Sequence, residues 1–310
     1  MVPRPLRIEF PGGIYHVVTR SLPRAPVFRS DFERELFLET LGEAVTKTKV
    51  LVHAWCLMPT RVHLVIETPA GNLSSAMKWL LGTFTMRISR RREKFGPLFA
   101  GRFKAVVVDG KSPGFFRNAC ESVHMNPARG RLVSPTDALR SYPWSSWAGY
   151  MDAGRCASWM TTERLKADLG LKSRDSRGLR AWEAAIESRR KTEDQIGPKL
   201  KWGWRYGSTE FRKRLRAMAQ RRRSVGFGEE TGRKPTEANA ERLVREEMRN
   251  RGWRAADLKR LRKGDSGKVE VARRLKKETT ATREWIVARL KMGTTGNLNR
   301  CLHAARNSTV

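Results

Sequence analysis

The chain has 310 residues, with 63 Lys or Arg against 31 Asp or Glu and a formal net charge of +32. Hydrophobic residues are 39% of it, enough for a packed core, yet no apolar run reaches the roughly 18 residues of a bilayer-crossing helix. These figures leave no candidate for a membrane span, and the charge points to a polyanionic partner, nucleic acid first among them.

Most of the basic excess lies after residue 170, and the length suits two domains with a linker. The four cysteines, Cys56, Cys120, Cys156 and Cys301, form no Cys-x-x-Cys pair, so a zinc site is not expected and reduced thiols are. The first residues lack the apolar stretch of a signal peptide, and a cytoplasmic location is expected.

In chain order, Ile14 to Thr19 reads as a strand. Ser30-Asp31-Phe32-Glu33 is a capping box that opens a helix to about Thr46, with Phe32, Leu36, Phe37, Leu41 and Val45 on its apolar side. Val50 to Leu57 and Val62 to Ile66 read as two strands separated by Pro59-Thr60. On the second, Val62, Leu64 and Ile66 point one way, and Arg61, His63 and Glu67 the other. Arg61 and His63 then have Cα atoms about 6.6 Å apart, a spacing at which two imidazoles could pinch one cation. Glu67 lies about 13 Å along the strand from His63, too far to join them.

Leu73 to Arg92 reads as a helix whose end gathers Arg87, Arg90 and Arg91, either a solvated face or a phosphate-contacting patch. Phe99 to Val108, which contains Arg102 and Lys104, reads as a fourth strand. Strand, helix, strand, strand, helix, strand is the split βαβ pattern of the ferredoxin-like fold, an α+β architecture with an antiparallel sheet and helices on one face. Ser112 as N-cap and Pro113 at N1 open a further helix to about Asn126, on which Ser122 and Asn126 share a face. Trp55 and Phe103 could stack on bases but are expected in the core, and Tyr142-Pro143-Trp144 closes the first domain as a packed turn.

Met58-Pro59-Thr60-Arg61-Val62-His63-Leu64 resembles the Met-Pro-Asn-His-x-His-Leu signature of the REP-associated tyrosine transposases, members of the HUH superfamily of single-strand DNA nicking enzymes. Gly13 to Arg20, Phe99 to Lys104 and Val123-His124-Met125-Asn126-Pro127 agree with that family in the same order, over roughly residues 1–165. The resemblance implies a tyrosine nucleophile that cleaves one DNA strand, aided by Mg2+ or Mn2+, and a homodimer. It places the nucleophile at Ser122 and metal ligands at His63 and Asn126. Two positions depart from the pattern: Arg61 stands in place of the first histidine and Ser122 in place of the tyrosine. A guanidinium cannot coordinate a cation, and a serine hydroxyl is shorter and less acidic than a phenol. The expectation is a pocket in which Arg61 grips a phosphate while cleavage is weakened or lost. An active transposase with another nucleophile, or a regulatory DNA- or RNA-binding protein, is the alternative.

After residue 165, Leu179 to Arg190 reads as a helix, Trp202 to Gly207 as an aromatic, glycine-punctuated stretch, and Ser208 as the cap of a basic helix. Ser224 to Thr236, with three glycines and Pro235, reads as a linker. Helices follow at 237–249, 255–262, 268–277, 280–290 and 294–304. The last two, around Lys291-Met292-Gly293, read as a helix-turn-helix, with Thr295, Asn297, Asn299 and Arg300 as contacts to duplex DNA. The expected domains are a transposase-like DNA-binding unit at 1–165, a basic helical extension and linker at 166–235, and an all-α domain at 236–310.

Overall fold

The computed structural model describes residues 8–23, 25–171, 175–196, 205–224 and 234–307. Strands β1 (Gly13–Arg20), β2 (Leu51–Met58), β3 (Arg61–Thr68) and β4 (Lys104–Val108) form an antiparallel sheet in the order β2-β3-β1-β4. Helix α1 (Asp31–Thr48) links β1 to β2, and α2 (Leu73–Arg91) links β3 to β4. The split βαβ arrangement is therefore the one expected, with β2 and β3 paired as a hairpin and β1 between β3 and β4. A two-residue strand, β5 (Arg205–Tyr206), adds to β4 in parallel.

Alternation along the strands decides which layer each residue enters. Tyr15, Val17, Val62, Leu64 and Ile66 face α1 and α2, where they meet Phe37, Leu41, Leu80 and Phe84. Phe37 stands edge-on to Phe84 with ring centroids 5.0 Å apart. Ile14, Ala54, Cys56 and Val65 face the other way, onto Phe116, Ala119, Cys120 and Val123 of α3 (Phe115–His124). The two helices of the βαβ units share one face, and α3 covers the other.

Ser30 caps α1, its Oγ accepting from Glu33 N at 3.4 Å. The Glu33 carboxylate accepts from Arg29 N and pairs with Arg92 beyond the end of α2, so the cap also joins the two helices. Phe32, expected on the apolar side, is exposed. The strand expected from residue 99 forms its ladder only over Lys104–Val108; upstream, the chain is held by Ala100 N donating to Arg20 O at 2.9 Å and by a bridge between Ser21 and Phe99. The helix expected at Ser112-Pro113 begins instead at Phe115, after Gly114 at φ 80°. Ser112 is taken by Asp109, whose carboxylate accepts from its amide at 3.1 Å and its hydroxyl at 2.7 Å.

The same carboxylate accepts from the amide and hydroxyl of Ser208 at 3.2 and 2.8 Å, which anchors β5 and α8 (Thr209–Ser224) to the end of β4. Phe211 and Leu215 of α8 enter the α1–α2 layer. On the α3 side pack α4 (Asn126–Arg129), α5 (Trp147–Met151), α6 (Glu163–Asp168) and α7 (Ser176–Ile196), through Trp147, Tyr150, Leu165, Trp182 and Ile186. The segment expected as an extension thus joins both layers of the first unit, through α7 on the α3 side and α8 on the other. The expected linker at 224–236 and the stretch Trp202 to Trp204 lie largely outside the described residues; α9 (Lys234–Asn250) includes Pro235 in its first turn.

Beyond it, α9, α10 (Asp257–Arg260), α11 (Ser266–Glu278), α12 (Arg283–Leu290) and α13 (Thr295–Asn307) enclose a third core of Leu243, Val244, Leu275, Ile286, Leu290 and Leu298. Thr282 caps α12, Lys291 ends it at φ 54°, and Gly293 turns at φ 88°. The helix–turn–helix pair is therefore α12 and α13. Lys47 of α1 donates to the carbonyls of Lys276 and Lys277 at the end of α11, joining the two units. Among the described residues, no helix is long and apolar enough to cross a membrane.

Candidate functional site

β3 puts Arg61 and His63 on the α3 side of the sheet, and the antiparallel register with β1 brings His16 beside them. His16 Nε2 and His63 Nδ1 are 3.3 Å apart, with the rings stacked at 5.5 Å. Only one proton fits between those nitrogens. Burial, then the charge of Arg129, lowers the His16 pKa to about 4. Burial also holds His63 well below its ordinary value, with His16, Arg61 and Arg129 adding to the effect. Both rings are neutral at pH 7. Nε2 of His63 is buried without a hydrogen-bond partner among the described residues, and so is Nδ2 of Asn126.

α3 carries Ser122 near its end, and Asn126 opens α4 one turn later. Ser122 Oγ accepts from Arg129 Nη1 at 2.9 Å. His124, two residues from Ser122 in sequence, bonds Ser146 Oγ at 2.9 Å among the rings of Trp147, Tyr150 and Trp182, and burial lowers its pKa to about 3. It is not a base for Ser122. Glu67 is likewise engaged, between His53 Nε2 at 3.0 Å and Arg164 Nη1 at 2.6 Å.

At the mouth of the sheet, Arg61 pairs in register with Arg20 across β1 and β3. With Thr60, Ala100, Arg102 and Lys104 they line a cleft of about 390 Å³ that has four cations and no carboxylate in its wall. None of the four forms an ion pair with a described residue. Uncompensated cations around a cleft are a site for an anion.

Residues 10–115 match the family model described as Transposase IS200 like. The chain is similar to that family over these residues, about a third of its length. The match runs from just before β1 to the first residue of α3, so it takes in Arg61, His63, Arg102 and Lys104 and stops short of Ser122 and Asn126. Among solved structures, the chain is similar to one described as "Structure of the REP associates tyrosine transposase bound to a REP hairpin". The identity is 15% and the TM-score 0.42, over 52% of this chain and 92% of that one. No curated protein matches.

Three residues of the transposase-like site escape a linear reading: His16, Arg20 and Arg129. His16 and Arg20 lie in the Gly13–Arg20 motif, at alternate positions from Ile14, and their face was readable; their pairing with His63 and Arg61 depends on register across some 45 residues of intervening chain. The basic end of α2 divides. Arg87 binds Glu43 and Thr40 Oγ1, and is spent inside the fold rather than offered to nucleic acid. Arg91 stacks 3.9 Å from the centroid of Phe32, and Arg90 is exposed. In α13, Asn297 is also spent: its Nδ2 donates to Met292 O at 2.9 Å and closes the turn. Asn299 and Arg300 are exposed, and Thr295 is half-buried at the helix start.

Proposed function

We propose that this transposase-like chain recognises single-stranded or hairpin DNA through the cleft of Arg20, Arg61, Arg102 and Lys104, with strand cleavage weakened or lost. The observation that carries the reading is the position of Arg61: a fixed cation facing three others where the resembled family keeps a metal-binding histidine. A guanidinium offers a planar fork to phosphate oxygens and needs no metal to do so.

The residues present do not fit a divalent Mg2+ or Mn2+. His63 offers a single unpartnered imidazole nitrogen, Nε2, since its Nδ1 is engaged with His16, and Arg61 and Arg129 add positive charge close by. Magnesium and manganese favour carboxylate and water oxygens, and two adjacent cations oppose their entry. Ser122 has an arginine against its hydroxyl and, among the described residues, no hydrogen bond to a base.

The exposed Asn299 and Arg300 of α13 suit contacts to duplex DNA, so the second unit is read as a duplex-binding helix-turn-helix. A homodimer is the assembly taken over from the family resemblance, and a cytoplasmic location is read from the isolated cysteines.

The test is the salt dependence of binding to a hairpin with a single-stranded tail. Each phosphate contact on a single strand contributes about 0.7 to the slope of log affinity against log salt. Arg61→Ala is expected to weaken binding and flatten the slope by about that amount. An unchanged slope and affinity would remove the cleft from the interface.

A further inference from the structure

The segment 98–102 is a wall between two cavities. Ala100 and Arg102 line the cationic cleft, and Leu98, Phe99 and Gly101 line a second pocket of about 580 Å³ against α2. Hydrogen bonds from Ala100 N to Arg20 O and the bridge between Ser21 and Phe99 fasten that wall to the end of β1. The second pocket is apolar where the first is charged. Phe95 and Met86 stand on its rim at 83% and 49% exposure, the two most exposed large apolar side chains among the described residues. Arg90 is the cation in its lining.

Gly82 supplies an independent observation. It lies inside α2, where glycine costs roughly 1 kcal/mol relative to alanine. Packing does not require it, because a Cβ added there meets nothing within 4 Å. Its missing side chain opens instead onto the second pocket. A helix that carries a destabilising residue at an uncrowded position, beside an exposed phenyl ring, keeps one patch of surface flat and empty.

We propose that this pocket receives one unpaired base of the DNA strand whose phosphates lie in the neighbouring cationic cleft. The base rests on the flat surface at Gly82 and stacks against Phe95, while Arg102 and Arg61 hold the backbone across the shared wall. A second copy of this chain fits less well, because Arg90 lines the pocket and the whole chain has a charge of +32. Stacking reads a π-face and tolerates any base, so the pocket recognises a base being unpaired rather than its identity. This rests on the proposed single-strand reading of the cleft, and the experiment separates the two.

Binding is measured by fluorescence anisotropy at one salt concentration, with a hairpin bearing a short single-stranded tail. The tail is scanned with an abasic site, against wild type, Gly82→Leu, Phe95→Ala and Arg61→Ala. One tail position is expected at which the abasic site weakens wild-type binding roughly tenfold, the loss of one stacked base. Gly82→Leu, which fills the pocket with a better helix former, is expected to weaken the intact tail by a similar factor and to leave the abasic tail unaffected. Phe95→Ala, at an exposed position, repeats the effect without risk to the fold. If the abasic scan and both pocket variants change nothing while Arg61→Ala still weakens binding, the base pocket is wrong and the cleft stands. If Arg61→Ala changes nothing either, both fall. If Gly82→Leu abolishes self-association in sedimentation and spares DNA affinity, the pocket belongs to a second copy and the proposal is overturned.

Discussion

Arg129 Nη1 donates to Ser122 twice, to its hydroxyl at 2.9 Å and to its carbonyl at 3.1 Å. The guanidinium thereby occupies a lone pair of the one hydroxyl at the nucleophile position. An alcohol needs an adjacent base to attack phosphorus at neutral pH, and the nearest imidazole in sequence, His124, is bound to Ser146. Ser122→Ala is therefore expected to leave DNA binding unchanged, and wild type and variant to give equally little covalent protein–DNA adduct with Mn2+ on a denaturing gel. An adduct formed by wild type and lost in Ser122→Ala would make Ser122 a nucleophile.

β3 itself carries one imidazole on the Arg61–His63 face, and one substitution gives it a second. Arg61→His removes a cation and places two imidazoles two residues apart on one face of β3. His63 is already neutral, the form that ligates. Calorimetric titration with Mn2+ is expected to show one site in Arg61→His and none in wild type or Arg61→Lys. Binding of equal strength in all three would show that Arg61 does not govern metal entry.

The sheet, its two βαβ helices and the facing of Arg61 and His63 follow from local signals: alternation, a capping box and a proline break. Those signals act within a few residues, and so they are visible in a linear reading. The start of α3 is not, because Ser112 has the form of a helix cap and is captured by a carboxylate that also holds Ser208, 96 residues away. Packing of α8 escapes for the same reason: its composition is basic, yet Phe211 and Leu215, with Met218 and Ala219 packed beside them, carry it into the core. At the site, His63 was legible and its partner His16 was not, since a contact across strands depends on register. Asn297 has the chemistry of a base-reading residue, and only the turn around Met292 shows that its amide is already used.

Asp109 gives the fold an acid-sensitive anchor. Burial acts to raise its pKa, but hydrogen bonds from Ser112, Ser208 and the Lys111 amide outweigh it and bring the value down to about 2 from 3.8. A folded-state pKa below the unfolded one stabilises the fold above the unfolded value and loses that contribution as pH falls through the folded one. The contribution is on the order of 2 kcal/mol above pH 4 and fades between about pH 4 and pH 2. Asp109→Asn should unfold at lower denaturant concentration than wild type at pH 7, and the gap should narrow as pH approaches 2. A gap independent of pH would mean that the anchor acts through shape rather than charge.

The start of α13 separates a residue that builds the helix-turn-helix from one that can use it. Asn297 donates to Met292 O inside the turn, and Arg300 lies exposed one helical turn further on, tethered among the described residues by a bond from its Nη2 to Asn297 Oδ1 at 2.9 Å. Removing the Asn297 amide leaves a turn carbonyl unpaired, a loss of roughly 1–3 kcal/mol. Asn297→Ala should therefore lower the melting temperature of the chain. Arg300→Ala should leave melting unchanged and weaken duplex binding, by roughly 1–3 kcal/mol if the guanidinium pairs with a base and with a shallower salt slope if it meets a phosphate. Circular dichroism melts and duplex titrations at several salt concentrations read the two variants independently. If Arg300→Ala binds duplex DNA as wild type does at every salt concentration, α13 does not enter the groove at that position.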